Sequence, residues 1–227
     1  DFASVSEAVL AVPYACAAEI RIGPGVYREK LVCEKQDITL IGAGMESTRI
    51  VWGDGGKLPH PDGRPTHTFR SYTAFFSGET LCVEDMTIEN DAGPGAKAGQ
   101  AVAAYVDSTR AVFRRVKLLG SQDTLFCAPL PEKEREKDGF LGPRTFAPRR
   151  ASAQYYQNCE IAGDIDFIFY SSVHPWDHLA GALMVTENGG IARTLDGISY
   201  TLLSRARGLL VAADTMSWMA AQQLWPV

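Results

Sequence analysis

Two aspartates stand at the same place in two similar stretches of the chain. Residues 113–126 and 156–169 both read apolar-x-x-apolar-x-apolar-x-Gly-x-x-Asp-x-apolar-x, and aligning their glycines places Asp123 opposite Asp166. If the stretches are successive coils of a stacked solenoid, equivalent residues lie one strand spacing apart, about 4.8 Å. Two such carboxylates cannot both ionise freely, so one can serve as an acid while the other attacks a substrate. The pair therefore indicates an enzyme.

The spacing of the repeats favours a parallel β-helix over a β-sandwich. A third copy begins at Val83, which precedes Phe113 by 30 residues, and Phe113 precedes Tyr156 by 43 residues. The longer interval contains residues 129–150, rich in proline and charge, which we interpret as a loop insertion. Without this loop about 21 residues remain, close to one coil. Short apolar stretches broken by Gly, Asp and Asn run from residue 19 to about residue 170, so strands are expected to dominate.

The two ends of the chain have different patterns. Residues 3–12 place apolar side chains on one helical face before Pro13, which predicts a short N-terminal helix that caps the first coil. Residues 171–227 are interpreted as a divergent, shortened C-terminal part, in which residues 181–190 are a candidate for another coil. After Ser204 the sequence becomes helix-like. We therefore predict one all-β domain over residues 1–227.

Composition and charge limit the classes of protein that fit. The chain has 227 residues, of which 46% are hydrophobic, so it can bury a full core. Its net charge of -5 provides no global basic field for nucleic acid or anionic lipid. No apolar run approaches the roughly 18 residues of a membrane span, and no signal peptide is recognised at Asp1. The five cysteines contain no CxxC pair and are expected to be buried, reduced thiols.

Four motifs, taken together, resemble a known family. They are Gly25-Val26-Tyr27-Arg28-Glu29-Lys30, Gly99-Gln100-Ala101-Val102-Ala103, Gly120-Ser121-Gln122-Asp123-Thr124-Leu125 and Asp166-Phe167-Ile168-Phe169. Their order and approximate spacing resemble those of pectin methylesterases, from residue 1 to about residue 169. The resemblance implies a right-handed parallel β-helix with an aspartyl esterase site in an outer groove.

The resemblance also implies a role for each site residue. Asp166 looks like the nucleophile and Asp123 like the general acid and base, while Gln122 and Gln100 look like donors to the oxyanion. The family's arginine, which holds the nucleophilic carboxylate, is matched here by Arg205, with Arg207 as a substitute. Side-chain amides suit the oxyanion because they donate hydrogen bonds without titrating.

Two departures from the family pattern bear on activity. The glycine that follows Asp-Phe-Ile-Phe in the family is Tyr170 here, and a large side chain at such a turn can strain the backbone or narrow the groove. Arg205 follows Asp166 by only 39 residues, about one coil fewer than in the family. An entire rung of the groove wall is missing by this count.

The expected substrate is methylated polygalacturonate, whose methyl esters would be hydrolysed to methanol and an acidic sugar. Aromatic candidates for contact with sugar rings are Phe167, Phe69, Tyr27 and Tyr170, although core packing is the commoner role of such residues. We expect no metal or other cofactor, no nucleic-acid or membrane partner, and a monomer. The substrate class points to a secreted protein, with a cytoplasmic location left open.

Two other functions also fit the sequence. A polygalacturonan hydrolase or lyase shares the β-helix and also uses carboxylates. A non-catalytic pectin-binding β-helix that has lost part of its groove is the other alternative. Released methanol, new reducing ends or unsaturated products would separate the three.

Overall fold

The computed structural model divides the chain into two compact units, Asp1–Asp164 and Ile165–Val227. This division differs from the single domain predicted over residues 1–227. The structure describes residues 1–134, 137–163, 167–170, 175–187, 189–201, 203–204 and 208–223.

The first unit is built from short parallel strands. They are β1 (Ala17–Arg21), β2 (Gly25–Arg28), β3 (Leu31–Cys33), β4 (Asp37–Ile41), β5 (Thr48–Trp52), β6 (Ala74–Phe76), β7 (Thr80–Asn90), β8 (Ala104–Val106), β9 (Arg110–Leu119), β10 (Leu125–Cys127), β11 (Ala153–Gln157) and β12 (Glu160–Ala162). One sheet runs β1-β4-β7-β5-β2, with β9 beside β7 and with β11 and β12 beside β9. The other sheet runs β10-β8-β6-β3.

The strand register confirms the internal repeats. Val83 pairs with Phe113, and Phe113 pairs with Tyr156, so the offsets of 30 and 43 residues are those of the sequence alignment. The second offset continues through β12, where Ala162 pairs with Leu119. Each copy of the repeat therefore adds one strand to the same parallel sheet.

Inward side chains of these strands form one continuous core. Leu40, Val83 and Phe113 stand on neighbouring strands and are fully buried, and the ring of Phe113 stacks on Tyr156 at 5.0 Å between centroids. Burying large apolar side chains in a close-packed interior is the main source of stability for such a unit. All five cysteines are free, but only Cys33 is buried, while Cys16 and Cys127 are exposed. The prediction of buried thiols is therefore wrong for those two.

Three stacked residues with left-handed backbone bend the sheet at the same place in each repeat. Asp85, Arg115 and Asn158 have φ values of 56°, 52° and 53°. Their positions are equivalent by the register of the flanking strands. The Arg115 guanidinium donates to both carboxylate oxygens of Asp85, from Nε at 2.6 Å and from Nη2 at 2.8 Å. These three stacked residues lie between the first part of each strand, which precedes the bend, and the second part, which leads to the turn.

The helix predicted over residues 3–12 is confirmed as α1 (Val5–Ala11). Val5, Ala8 and Val9 are its buried residues, and Val5 and Val9 belong to the core of the first unit. The Glu29 carboxylate accepts hydrogen bonds from the amides of Val5 and Ser6, at 2.9 and 2.7 Å. These bonds satisfy two backbone N–H groups that the start of a helix leaves without partners. The negative charge of Glu29 is also favourable there, because the N-terminus of a helix carries a partial positive charge.

No helix or strand occurs between Cys127 and Ala153 in residues 128–134 and 137–152, as expected for a loop insertion. The loop nevertheless packs on the first unit through its buried residues Leu130 and Phe140. Arg144 in the loop forms a buried ion pair with Asp107, which follows β8. The charged residues at 132–134 are exposed.

Asn90 joins the loop between β5 and β6 to the loop between β7 and β8. Its side-chain amide donates to the carbonyl oxygens of Asp54, Ser71 and Val102 at 2.9, 2.6 and 3.1 Å. Its oxygen accepts from the amide of Ala92 at 3.1 Å. Because the residue is buried, removing the amide takes this donor from the carbonyls of Asp54 and Ser71 without giving them water, while the carbonyl of Val102 still accepts from the amide of Thr73.

We expect Asn90→Ala to lower the free energy of unfolding of the protein by about 2–4 kcal/mol, since each buried group left unpaired costs about 1–3 kcal/mol. Urea denaturation followed by circular dichroism measures this change. Gln157→Ala is a suitable control because Gln157 is an exposed amide on a strand of the same sheet. Equal stability of the two variants would contradict the role assigned to Asn90.

The second unit is an antiparallel sheet with a helix packed on each face. Its strands β13 (Phe167–Tyr170), β14 (Ile191–Thr194) and β15 (Leu209–Ala212) have the order β13-β15-β14, and its helices are α3 (Pro175–Glu187) and α4 (Thr215–Gln222). Leu209 and Val211 cluster with Ala182 of α3. Leu210 and Ala212 cluster with Trp218 of α4. Both faces of the central strand are therefore covered.

This architecture corrects the interpretation of residues 171–227 as the end of a β-helix. Residues 181–190, a candidate for another coil, lie mostly in α3, while the helix-like sequence after Ser204 is confirmed by α4. In the parts of the chain that the structure describes, no helix has the length and apolar character needed to cross a membrane.

Candidate functional site

The structure describes three of the five predicted catalytic residues. Asp123, Gln122 and Gln100 belong to the first unit, whereas Asp166 and Arg205, together with Arg207, lie outside the described residues. Phe167 and Tyr170 are part of the backbone of β13, and their side chains also lie outside the described part. The geometry of the site is therefore that of the acid and the two amides.

A short antiparallel bridge brings the two glutamines onto adjacent segments. The amide of Ala101 donates to the carbonyl of Ser121 at 2.9 Å, and the amide of Ser121 donates back at 3.2 Å. Gln100 precedes Ala101 and Gln122 follows Ser121, so each glutamine is next to this bridge on its own segment. The Ser121 hydroxyl donates to the carbonyl of Gly93 at 2.8 Å, which ties this turn to the preceding coil.

Gln122 has an unusual backbone conformation for its residue type. Its φ is 58°, in the left-handed region that non-glycine residues rarely adopt. The amide of Thr124 donates to the carbonyl of Gln122 at 2.8 Å, so the chain turns tightly around Asp123. Such backbone strain persists only where the surrounding structure holds it, and it concentrates at functional sites.

Asp123 is an aspartate without a counter-ion in the described part of the structure. Its carboxylate makes no hydrogen bond or ion pair with any described residue, although the residue is exposed on one side. The protein that surrounds the other side partly desolvates the carboxyl and raises its pKa above the ordinary value. A raised pKa suits a group that must first give a proton and then take one back.

Desolvation of Asp123 predicts a pH-dependent cost in stability. An aspartate with a raised folded-state pKa binds more protons folded than unfolded, so stability falls as pH rises from the ordinary pKa through the raised one. Asp123→Asn cannot ionise. We expect this variant to melt at a higher temperature than the unsubstituted protein at neutral pH, with the difference vanishing below about pH 3.

Melting temperatures of Asp123→Asn and of the unsubstituted protein, measured at neutral pH and below about pH 3, test this prediction. Asp37→Asn, an exposed aspartate at the start of β4, serves as the control. A lower melting temperature for Asp123→Asn at neutral pH would show that the carboxylate is stabilised in the folded protein, contrary to its environment here.

The next repeat is hydrogen-bonded to the turn that carries Asp123. Gly120 donates its amide to the carbonyl of Ala162 at 3.1 Å, and the Thr124 hydroxyl donates to the same carbonyl at 3.1 Å. A Cβ on Gly120 would lie 2.4 Å from the carbonyl oxygen of Ala101, so only glycine fits between these segments. The glycine that anchors the sequence alignment is thus needed for close stacking.

The aromatic candidates have different environments. Phe69 packs against Phe126 with 4.7 Å between ring centroids, and also against Tyr105 and Phe140. Phe126 follows Asp123 by three residues, so Phe69 lies in a cluster that continues from the site, yet its ring is largely used in packing.

Tyr27 lies at the opposite end of its sheet. It is in register with Ile50, Ile88 and Leu118, which places it three strand spacings, about 14 Å, from the β9 strand that leads to the site. Its ring packs against the core, and its hydroxyl donates to the carbonyl of Gly23 at 3.1 Å. These contacts are those of a packing residue.

Sequence reasoning missed an aromatic ladder beside the site. Phe75, Tyr105 and Phe126 occupy equivalent positions on β6, β8 and β10, with 5.0 and 4.9 Å between successive ring centroids. The signal was the central residue of each three-residue strand, which points away from the main core. Phe69 and the loop residue Phe140 cover the ladder.

In residues 1–134, 137–163 and the described parts of the second unit, no group of three His, Cys, Asp or Glu side chains is placed to hold a metal ion. The chemistry available at the described site is therefore that of one carboxyl group and two carboxamides.

Known proteins with similar sequences or structures are pectinesterases. The family model described as Pectinesterase matches residues 1–131. Pectinesterase 31 of Arabidopsis thaliana is 31% identical over 186 residues, covering 78% of this chain and 51% of that protein. The structure of pectin methylesterase from carrot is 33% identical with a TM-score of 0.56, covering 73% of this chain and 44% of that one. A pectin methylesterase mutant in complex with a hexasaccharide is 25% identical with a TM-score of 0.58, covering 74% and 47%.

A second family model, described as Inositol monophosphatase family, matches residues 74–226. The chain therefore belongs to the pectinesterase family, and over residues 74–226 also to the inositol monophosphatase family. It spans about half the length of these pectinesterases.

The two family matches overlap over residues 74–131. Those residues form parallel strands that continue the sheets of the first unit. The second unit, by contrast, has an antiparallel sheet covered by helices on both faces. Residues 171–227, expected to be a shortened pectinesterase part, thus have an architecture that no coil of the first unit shares.

Proposed function

We propose that the protein hydrolyses methyl esters of galacturonate units in pectin and releases methanol. The observation that carries the proposal is the arrangement of Gln100, Gln122 and Asp123 around the Ala101–Ser121 bridge. Membership of the pectinesterase family supports the same reaction. The fold proposed for the first unit is a right-handed parallel β-helix, with α1 as its N-terminal cap.

In this mechanism Asp166 attacks the ester carbonyl carbon, and the negative charge that develops on the carbonyl oxygen is stabilised by the amides of Gln122 and Gln100. One such donor is typically worth about 3–4 kcal/mol. Asp123 gives its proton to the departing methanol and then removes one from the water that cleaves the acyl-enzyme. Arg205, or Arg207 in its place, would keep the nucleophile ionised and oriented.

The strand register supports the pairing of the two aspartates. The offset of 43 residues holds from Ala153 opposite Arg110 to Ala162 opposite Leu119. The proposal requires the same offset to hold for four more residues, which would pair Asp123 with Asp166 at one strand spacing, about 4.8 Å. A carboxylate at that distance favours the protonated form of Asp123, in the same direction as its partial burial.

Gas chromatography of methanol released from methylated polygalacturonate tests the reaction. New reducing ends or unsaturated products without methanol would favour a polygalacturonan hydrolase or lyase instead. Binding of the polymer without any product would favour a non-catalytic pectin-binding protein. This last alternative is favoured by one observation, the antiparallel pairing of β13 with β15 directly after Asp166.

We propose in addition that the substrate is recognised as a polysaccharide, with Phe69 as the predicted contact in the first unit. Phe167 and Tyr170, the other predicted contacts, belong to β13 of the second unit. Tyr27 is the weakest of the predicted contacts because its ring packs on the core. The protein is further proposed to be a secreted monomer, since a polymeric substrate of this kind lies outside the cell. Sedimentation of the purified chain measures its oligomeric state.

A further inference from the structure

Gly95 leaves room for the side chain of Gln122. A Cβ built on Gly95 would lie 2.7 Å from Nε2, 2.8 Å from Cγ and 3.0 Å from Cδ of Gln122. These distances are shorter than van der Waals contact, so the amide occupies space that any other residue at position 95 would fill. Gly95 begins the short helix α2 (Gly95–Ala98), which leads to Gly99 and Gln100.

The backbones on both sides of this contact are fixed. The Ser121 hydroxyl donates to the carbonyl of Gly93 at 2.8 Å, two residues before Gly95. Ser121 also pairs with Ala101, so the segment that contains Gly95 is tied to the turn of Gln122 at both of its ends. A methyl group at position 95 is therefore expected to displace the flexible end of Gln122, because neither backbone can move away.

The energetic consequence is unequal for stability and for catalysis. Displacing the end of one partly exposed glutamine side chain moves no buried apolar side chain, so the core that stabilises the first unit is retained. A donor to a developing oxyanion, however, must lie within about 0.5 Å of its productive place. The same methyl group can thus leave the fold intact and remove the function of the amide.

We infer that Gly95 is a positioning residue for ester hydrolysis, because its missing side chain sets where the Gln122 carboxamide lies. The inference rests on the proposed function, in which Gln122 donates to the oxyanion. Gly56 leaves room for the side chain of Gln100 in a similar but less restrictive way. A Cβ at position 56 would lie 3.1 Å from Oε1 of Gln100. A contact of that length can relax by a few tenths of an ångström.

The test is Gly95→Ala assayed for methanol release. We expect kcat to fall about 100-fold, the typical effect of losing one oxyanion donor, with KM changed by less than about twofold. Gly23→Ala is the matched control, because a Cβ at position 23 meets no atom closer than 3.7 Å. Both variants should keep the melting temperature of the unsubstituted protein within about 2 °C.

A double-mutant cycle separates positioning from general damage. In the background Gln122→Ala the end of the side chain is absent, so Gly95→Ala should cost less than about twofold in kcat. An equal loss from Gly95→Ala in both backgrounds would overturn the inference, because Gly95 would then act independently of Gln122. Unchanged kcat for Gln122→Ala alone would instead refute the proposed role of Gln122 as an oxyanion donor.

A second readout does not depend on activity. In protein labelled with ¹⁵N at glutamine, the side-chain NH₂ signals of Gln122 are identified by their loss in Gln122→Ala. They should shift in Gly95→Ala and stay in place in Gly23→Ala. Unshifted signals in Gly95→Ala would overturn the inference even if the unsubstituted protein releases no methanol, a result that would count against the proposed function alone.

Discussion

Asp166→Asn is expected to lower methanol release from methylated polygalacturonate by at least about 10⁴-fold, the scale of losing a catalytic nucleophile. An asparagine amide cannot form the acyl-enzyme, because its oxygen is a far weaker nucleophile than a carboxylate. The proposed roles of Asp123 and the two glutamines depend on this attack. The methanol assay, run on variants of equal thermal stability, measures the effect.

The neighbouring aspartate provides the control for this substitution. The repeat alignment places Asp164 opposite Ser121 and gives it no part in the chemistry. Asp164→Asn should therefore retain activity within about threefold, since it keeps the size of the side chain and removes a charge that the proposed mechanism does not use. Undiminished methanol release by Asp166→Asn would refute the assignment of the nucleophile and leave the fold of the first unit unaffected.

Arg144→Met is expected to lower the free energy of unfolding of the first unit by about 3–5 kcal/mol at neutral pH, the usual cost of breaking a buried ion pair from one side. Arg144 pairs with Asp107, and both side chains are largely buried. Burial already raises the pKa of Asp107, while the attraction of Arg144 opposes that rise. Without the arginine, an uncompensated carboxylate would remain in the interior.

The pH dependence of the Arg144→Met effect follows from the same groups. Loss of the arginine raises the pKa of Asp107 further, so the folded variant binds a proton that the unfolded chain does not. The destabilisation should therefore shrink as pH falls and Asp107 becomes neutral. Denaturant unfolding at neutral and at acidic pH measures the difference. A cost that grows towards acidic pH would contradict this account.

Two further variants identify the origin of the Arg144→Met effect. The double substitution Asp107→Asn with Arg144→Met removes both charges and should recover much of the lost stability. Arg150→Met breaks the exposed pair of Arg150 with Glu79, whose N–O distance is 3.1 Å, and should cost less than about 1 kcal/mol. Similar losses from Arg144→Met and Arg150→Met would show that burial does not increase the contribution of the Arg144–Asp107 pair to stability.

The first unit could be predicted in some detail because its signals are local and repeated. The glycine-anchored alignment gave strand offsets that the register confirms, for example Phe113 opposite Tyr156. The apolar face of residues 3–12 gave α1 because helix periodicity needs no knowledge of distant contacts. The same periodicity could not reveal the Gly95–Gln122 contact, which depends on three-dimensional positions that side-chain type alone does not encode.

The second unit could not be predicted from the same signals. β13 pairs with β15, and residues 167 and 212 are opposite each other, so the pairing depends on a long-range register without a repeat. Pro175 is a residue type that breaks helix interiors, yet α3 begins at that residue. Proline is favoured in the first turn of a helix because its missing N–H would have no partner there. Position within the helix, more than residue type, decided this case.

The pairing distances along the chain have a consequence for folding. The strands β7, β9 and β11 of the first unit pair at separations of 30 and 43 residues, and such non-local parallel pairings form slowly. In the second unit, β14 and β15 pair as antiparallel neighbours within 22 residues, next to helices that form in microseconds or less. The local β14–β15 pairing is thus expected to form first, whereas β13 must wait for a partner strand that begins 39 residues after Tyr170, a separation as large as those in the first unit.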